Sequence, residues 1–298
     1  MWAKLADGAR RLVEQAAGAR GERDAARPPA VTPLARVVSV ASGKGGTGKS
    51  ILSTNLACQL ARAGERVVLI DCDTGWANDH LLLGLQPSYD LGHVAGGQAT
   101  VLQSLVPGPG GLRLLSGGVG RARDAEPTWR DLDRLFHALV QLETSFDVVI
   151  VDHGAGLGLA AQALIAAGSA LVIVTGTEVT ALSDGYAAYK RAVALAPAVR
   201  AGLVVNKVAS PQVGREAWER FSFVSQRFLE RKPELLALVP DDRAVVESVE
   251  KRLPVVLSAP TSPAAQAIAE VARWEPFRVA APAVGGQGVF ERSRRALR

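Results

Sequence analysis

Residues 37–51 read Val37-Val-Ser-Val-Ala-Ser-Gly43-Lys44-Gly45-Gly46-Thr47-Gly48-Lys49-Ser50-Ile51. A short apolar run enters a G-x-x-x-x-G-K-S loop, and Leu-Ser-Thr-Asn-Leu-Ala follows at helical spacing. Strand, glycine-rich loop and helix start, in that order, form a phosphate-binding loop. The glycines let backbone N–H groups turn inward around phosphate oxygens, where they add to the positive end of the helix dipole. Lys49 brings a charge for the β- and γ-phosphates, and the Ser50 hydroxyl is a ligand for Mg²⁺. The candidate nucleotide-binding set is therefore Gly43, Lys44, Gly45, Gly46, Thr47, Gly48, Lys49, Ser50 and Ile51.

On either side of this loop, apolar runs alternate with helical segments. Strands are expected at 37–41, 66–71, 112–116, 147–152, 170–175, 201–206 and 236–239. Helices are expected at 50–63, 129–142, 157–167, 181–195, 215–231, 244–252 and 263–274. Short, nearly all-apolar strands between helices predict an α/β fold, a doubly wound and mainly parallel sheet flanked by helices. Two of the strands end in acids. Arg66-Val-Val-Leu-Ile-Asp71-Cys-Asp73 carries a pair at i and i+2, which strand alternation would place on one side. Phe146-Asp-Val-Val-Ile-Val-Asp152 has the form of a Walker B strand, whose carboxylate holds the metal through water, and Gly154-Ala-Gly156 follows as a small-residue loop.

Composition sets the outer limits. Hydrophobic residues make up 48% and charged residues 21% of 298, ample for a core in one large domain with tails. No apolar run reaches the ~18–20 residues needed to cross a bilayer, and the charged N-terminus has no secretory h-region. Cys58 and Cys72 have no metal-ligand spacing, so neither a disulfide framework nor a zinc site is expected, and the chain reads as cytoplasmic. The net charge of +5 lies entirely in the tails. Residues 1–30 carry six basic against four acidic residues, and residues 275–298 five against two. A neutral core argues against nucleic acid as a partner.

Lys44, in the pattern K-G-G-x-G-K-S, resembles the deviant-Walker ATPases of the MinD/ParA type. That resemblance implies ATP and Mg²⁺ as ligands and a homodimer formed around bound ATP. In it Lys44 reaches across to the partner's phosphates, a charge supplied in trans like an arginine finger. It makes Lys44, Lys49 and Asp73 the catalytic set, with Asp73 acting on the attacking water. Ser50, Asp71 and Asp152 become the metal set. Asn206, in Val-Val-Asn-Lys, is placed at the adenine edge, and Pro240 and Asp242, in Val-Pro-Asp-Asp, are placed near the base.

Within that type, Asp71-Cys-Asp-Thr-Gly-Trp-Ala-Asn-Asp-His-Leu-Leu-Leu-Gly-Leu-Gln-Pro and Tyr89-Asp-Leu-Gly-His-Val resemble the flagellar-number regulators FlhG, also called FleN or YlxH. The likeness covers about residues 36–274, with Trp76, His80 and His153 as departures; an imidazole beside Asp152 could titrate near neutrality. The implied function is a MgATP-driven switch at the inner face of the membrane that sets flagellar number or placement. The alternatives are a ParA-type DNA- or cargo-segregation ATPase and a MinD-type division-site regulator.

The tails divide the chain further: an amphipathic helix at 1–19, a linker at 20–33, the ATPase domain at 34–274, a second linker at 275–288 and a basic amphipathic tail at 289–298. Asp7-Gly-Ala-Arg-Arg-Leu12 resembles the segment with which this family activates its partner, the signal-recognition-type GTPase FlhF, but Gly8 and Val13 depart from it. The resemblance also admits flagellar switch-ring proteins or a flagellar transcription regulator as partners. The C-terminal segment, apolar on one face and arginine-rich on the other, reads as a membrane-surface helix.

Overall fold

The structure is a computed structural model that describes residues 34–73, 77–118, 128–279 and 286–296. The expected helix at 1–19, the linker at 20–33 and Trp76 lie outside the described residues. In chain order the elements are β1 (Arg36–Ser42), α1 (Lys49–Arg62), β2 (Val67–Cys72), α2 (Asp79–Leu82), α3 (Leu91–Ala95), β3 (Leu105–Pro107), β4 (Arg113–Leu115), α4 (Trp129–Leu139), α5 (Leu142–Ser145), β5 (Val148–Ala155), α6 (Leu159–Ala166), β6 (Ala170–Thr175), α7 (Val179–Leu195), β7 (Ala201–Val208), α8 (Pro211–Leu229), β8 (Glu234–Pro240), α9 (Arg243–Glu250), α10 (Val255–Ser258), α11 (Pro263–Val271) and α12 (Val289–Ala296).

Among the described residues, eight strands form one sheet in the order β3-β4-β2-β5-β1-β6-β7-β8. Every pairing is parallel except β3 with β4. The central strands are buried on both faces, which explains why they read as continuous Val/Ile/Leu runs. One face packs α1, α10 and α11 against Val38, Val40, Leu69 and Ile150. The other is covered by α4, α6 and α12 near β2 and β5, and by α7 and α8 near β6 and β7. The antiparallel edge β3, which contains Pro107, was not anticipated from the sequence. Three residues show no alternation, and proline confines such a strand to an edge.

Two of the expected domain boundaries change. Phe277 is fully buried in the first core cluster and stacks edge-on with Trp274, centroids 6.1 Å apart, so the body continues past residue 274. The larger correction concerns the C-terminus. Residues 289–296 form a helix docked on the body, with Val289, Phe290, Arg292, Ser293 and Ala296 buried. Phe290 meets Phe136 of α4 at 6.0 Å between centroids, and the Ser293 hydroxyl donates to the Ala163 carbonyl of α6. Arg292 Nε donates to the Ala167 carbonyl at 2.9 Å, and Arg294 pairs with Asp133 at 3.1 Å. The apolar face assigned to a membrane surface is thus covered by the protein itself, which supplies the contacts that so short a helix lacks in water. No helix of the described residues is long and apolar enough to cross a membrane.

Candidate functional site

The loop after β1 stands at the carboxyl ends of the central strands, where open α/β sheets bind ligands. Gly48 takes φ +89° as it enters α1, a conformation that an L side chain rarely adopts. A Cβ there would also lie 2.2 Å from Asn206 Nδ2. Gly43 is required for a different reason: a Cβ would fall 2.1 Å from the backbone of Asp184 in α7. Lys44 is exposed, whereas Lys49 is only 7% exposed.

Strand register brings the acids together. Asp71 of β2 is the direct partner of Asp152 of β5 in the parallel ladder, so both carboxylates emerge side by side at the start of α1. Lys49 Nζ donates to Asp152 Oδ2 at 2.9 Å, Ser50 Oγ donates to the same oxygen at 2.7 Å, and Ser53 Oγ donates to Oδ1 at 2.8 Å. Asp71 Oδ1 accepts from the Asp73 amide, and its Oδ2 accepts from the amides of Asn78 and Asp79. Burial works against the Lys49 charge, but Asp152, Asp79 and Asp71 hold its pKa above the ordinary lysine value. Burial pushes Asp71 up to about 7, helped by the charge of Asp152, and raises Asp152 as well. A hydroxyl and carboxylates gathered at the phosphate loop are a hard oxygen-donor set that suits Mg²⁺.

Asp73 is not part of that cluster. β2 ends at Cys72, so the expected alternation stops one residue short. The Asp73 carboxylate instead lies about 3.5 Å from where a Gly154 Cβ would be. There it lines a cavity of about 190 Å³ with Cys72, His153, Gly154 and the first turns of α4 and α6. This places it against the end of β5, where Gly154 and Ala155 continue the strand and only Gly156 remains of the expected small-residue loop. His153, the partner of Cys72 in register, points to this same side of the sheet. Burial drives its pKa down to about 3, so the imidazole stays neutral and does not titrate near neutrality.

The base-side residues line a separate cavity of about 300 Å³, which Gly48, Ile51, Asn206, Pro240 and Asp242 share with Val245, Val246 and Val249. Asn206 Nδ2 donates to the Thr47 carbonyl at 2.8 Å, bracing the loop. Both Asp242 oxygens are committed, Oδ1 to the Ala244 amide and Oδ2 to the Ala264 amide, so this side chain caps α9 and ties it to α11. Sequence reasoning passed over three residues here. Ser53 lies one turn after Ser50 on the same helix face, a spacing that could have revealed it. Lys207, with φ 55°, donates from Nζ to the Gly46 carbonyl at 3.1 Å. Asp79 joins Asp71 and Asp152, all three buried, and no spacing in the sequence points to it.

Comparison with known proteins places the fold among known nucleotide-binding domains. The family described as "CobQ/CobB/MinD/ParA nucleotide binding domain" matches residues 38–255. The chain is 33% identical over 238 residues to antiactivator FleN of Pseudomonas aeruginosa, covering 80% of this chain and 85% of that one. It is 31% identical over 191 residues to the flagellum site-determining protein YlxH of Helicobacter pylori, covering 64% of each. Among solved structures it resembles the septum site-determining protein MinD of Pyrococcus horikoshii, complexed with Mg-ADP, with a TM-score of 0.64 and 26% identity over 80% of this chain and 95% of that one.

Proposed function

Because this chain belongs to the CobQ/CobB/MinD/ParA nucleotide-binding family and is an ATPase that uses MgATP, we propose that it is the switch that sets flagellar number or placement. The observation that carries this reading is the segment 71–87, the first switch in this reading, with its flagellar-type wording, supported by similarity to FleN and YlxH. In this reading the amides of residues 43–50 and Lys49 hold the phosphates, while Ser50, Asp71 and Asp152 would hold Mg²⁺, which would supply positive charge for the phosphoryl oxygens. Asp73, beside Gly154, orients the attacking water and accepts its proton. Asn206, Pro240 and Asp242 form the wall against which the base rests.

Lys44 is exposed, and in this reading it meets the phosphates held by a second copy of the chain. Lys44→Ala therefore binds ATP but sediments as a monomer; a normal ATP-dependent dimer would remove its role in trans. The N-terminal segment 1–19 is assigned to an FlhF-type GTPase, and switch-ring proteins or a flagellar transcription regulator remain compatible partners. In this reading the protein is cytoplasmic and becomes peripheral on the membrane when ATP-bound.

Membrane attachment then requires α12 to leave its groove. Its first amides are held by Glu143, whose Oε2 accepts from the Phe290 amide at 3.2 Å and whose Oε1 accepts from Val289. Burial pushes the Glu143 carboxyl up to about 7, against the pull of these two donors and of Arg292. An exposed glutamate titrates near ~4.3. The docked helix is accordingly favoured while Glu143 keeps its proton. That contribution is complete below the exposed pKa and is lost as pH rises through 7. Amides 290–296 should be more protected from hydrogen exchange at pH 6 than at pH 8, after correction for intrinsic rates. Glu143→Gln should remove the difference.

The decisive test of the function is a count of flagella per cell by negative-stain electron microscopy, with and without the gene. A changed number or placement, restored by wild type but not by Lys49→Ala, supports the flagellar switch. Unchanged flagella with misplaced septa would move the assignment to the division-site class that the MinD likeness also fits. Plasmid or chromosome loss instead would move it to the ParA class.

A further inference from the structure

The metal set Ser50, Asp71 and Asp152 leaves one acid at the site unexplained. Asp79, the first residue of α2, has no accessible surface, and neither of its carboxylate oxygens has a hydrogen-bond partner. The neighbouring acids differ sharply. Asp71 is held by three amides, and Asp152 by an ammonium and two hydroxyls. Asp79 nevertheless belongs to the same cluster, with donor oxygens of all three acids within 4.8 Å of one another. Three carboxylates thus face the single ammonium of Lys49, which is already bonded to Asp152. A buried carboxylate with no donor is costly, and natural proteins rarely retain one unless something else satisfies it.

We propose that Asp79 is a ligand of the divalent cation at this site, and that with Asp71 and Asp152 it lets the chain hold Mg²⁺ or Mn²⁺ before nucleotide arrives. The cation supplies the positive charge that the cluster lacks. Its size fits: a six-coordinate ion with oxygens at about 2.1 Å spans about 4.2 Å between opposite ligands. Donor oxygens that all lie within 4.8 Å of one another could close on such an ion directly or reach it through a bound water. Placement adds a consequence. Asp79 follows directly on the first-switch loop, and its own amide donates to Asp71. A cation held by Asp79 ties the start of α2 to the neighbouring acids of β2 and β5.

The inference rests on the MgATP site and is independent of the flagellar assignment. It is tested by titrating Mn²⁺ into nucleotide-free full-length protein, with free Mn²⁺ read by electron paramagnetic resonance. A fluorescent ATP analogue is titrated in parallel. Wild type should bind one Mn²⁺, and Asp79→Asn should weaken that binding by about tenfold or more. Wild type that binds the analogue but no Mn²⁺ in its absence overturns the proposal and leaves the nucleotide site standing. Failure to bind either ligand overturns both. Thermal melting supplies a second measurement. Mg²⁺ should raise the melting temperature of nucleotide-free wild type, while Asp79→Asn should melt higher than wild type in EDTA and gain little from Mg²⁺. An equal gain in both proteins would mean that Asp79 is only a buried acid, and the proposal falls.

Discussion

Replacing Lys49 with alanine abolishes detectable ATP binding and destabilises the protein. The two effects have separate causes. The ammonium is the cation directed at the phosphates, and truncating one partner of a buried charged contact costs roughly 2–5 kcal/mol, or about 30- to several-thousand-fold in affinity. It is also bonded to Asp152 in a buried pair whose side chains are 8% and 1% exposed. Removing one member of such a pair leaves the other uncompensated, at about 3–5 kcal/mol. The pair Lys49→Ala and Asp152→Asn separates these causes. The double variant should recover most of the melting temperature lost in the single variant, while ATP binding stays absent by isothermal titration calorimetry. Recovered binding in the double variant would mean that Lys49 serves the fold and not the phosphates.

Asp73→Ala should leave ATP binding within a few-fold of wild type and lower turnover by about 10²–10⁴, the range of a positioned general base. The structure supports this separation because Asp73 stands outside the buried cluster that surrounds Lys49 and Ser50. It lies against Gly154 of β5, so the variant removes a carboxylate from the wall of a cavity without stripping the core. The variant should also accumulate the ATP dimer, seen by analytical ultracentrifugation. Turnover within a few-fold of wild type by phosphate release would transfer the water-positioning role to another residue.

The phosphate loop and the sheet were legible in the sequence because their signals are local. The order of apolar run, glycine loop and Lys49-Ser50 specifies a backbone shape within about fifteen residues, and the strand at 170–175 was delimited to the residue. The acidic cluster was legible only in part. Asp71 and Asp152 announce themselves as strand ends, but their meeting depends on the β2–β5 register, which joins residues far apart in the chain. Asp79 begins a helix of four residues, too short to leave a periodic pattern. The C-terminal helix was legible as amphipathic. What its apolar face meets is a question of tertiary packing, and Phe290 found Phe136 where the pattern alone suggested lipid.

The two helices that carry the C-terminal element also border the cavity that Asp73 lines. In α4, Leu132 and Leu135 line the cavity shared with Asp73 and Gly154, while Asp133 and Phe136 grip α12. In α6, Leu159 and Ala160 line the same cavity, while the Ala163 carbonyl accepts from Ser293. Each of these rods therefore touches the cavity beside Asp73 on one face and α12 on another. Coupling between two binding events is reciprocal by thermodynamic necessity. If ATP loosens α12 through these rods, whatever surface captures the freed helix must tighten ATP by the same factor, so the membrane would act as an effector of the nucleotide site as well as a destination.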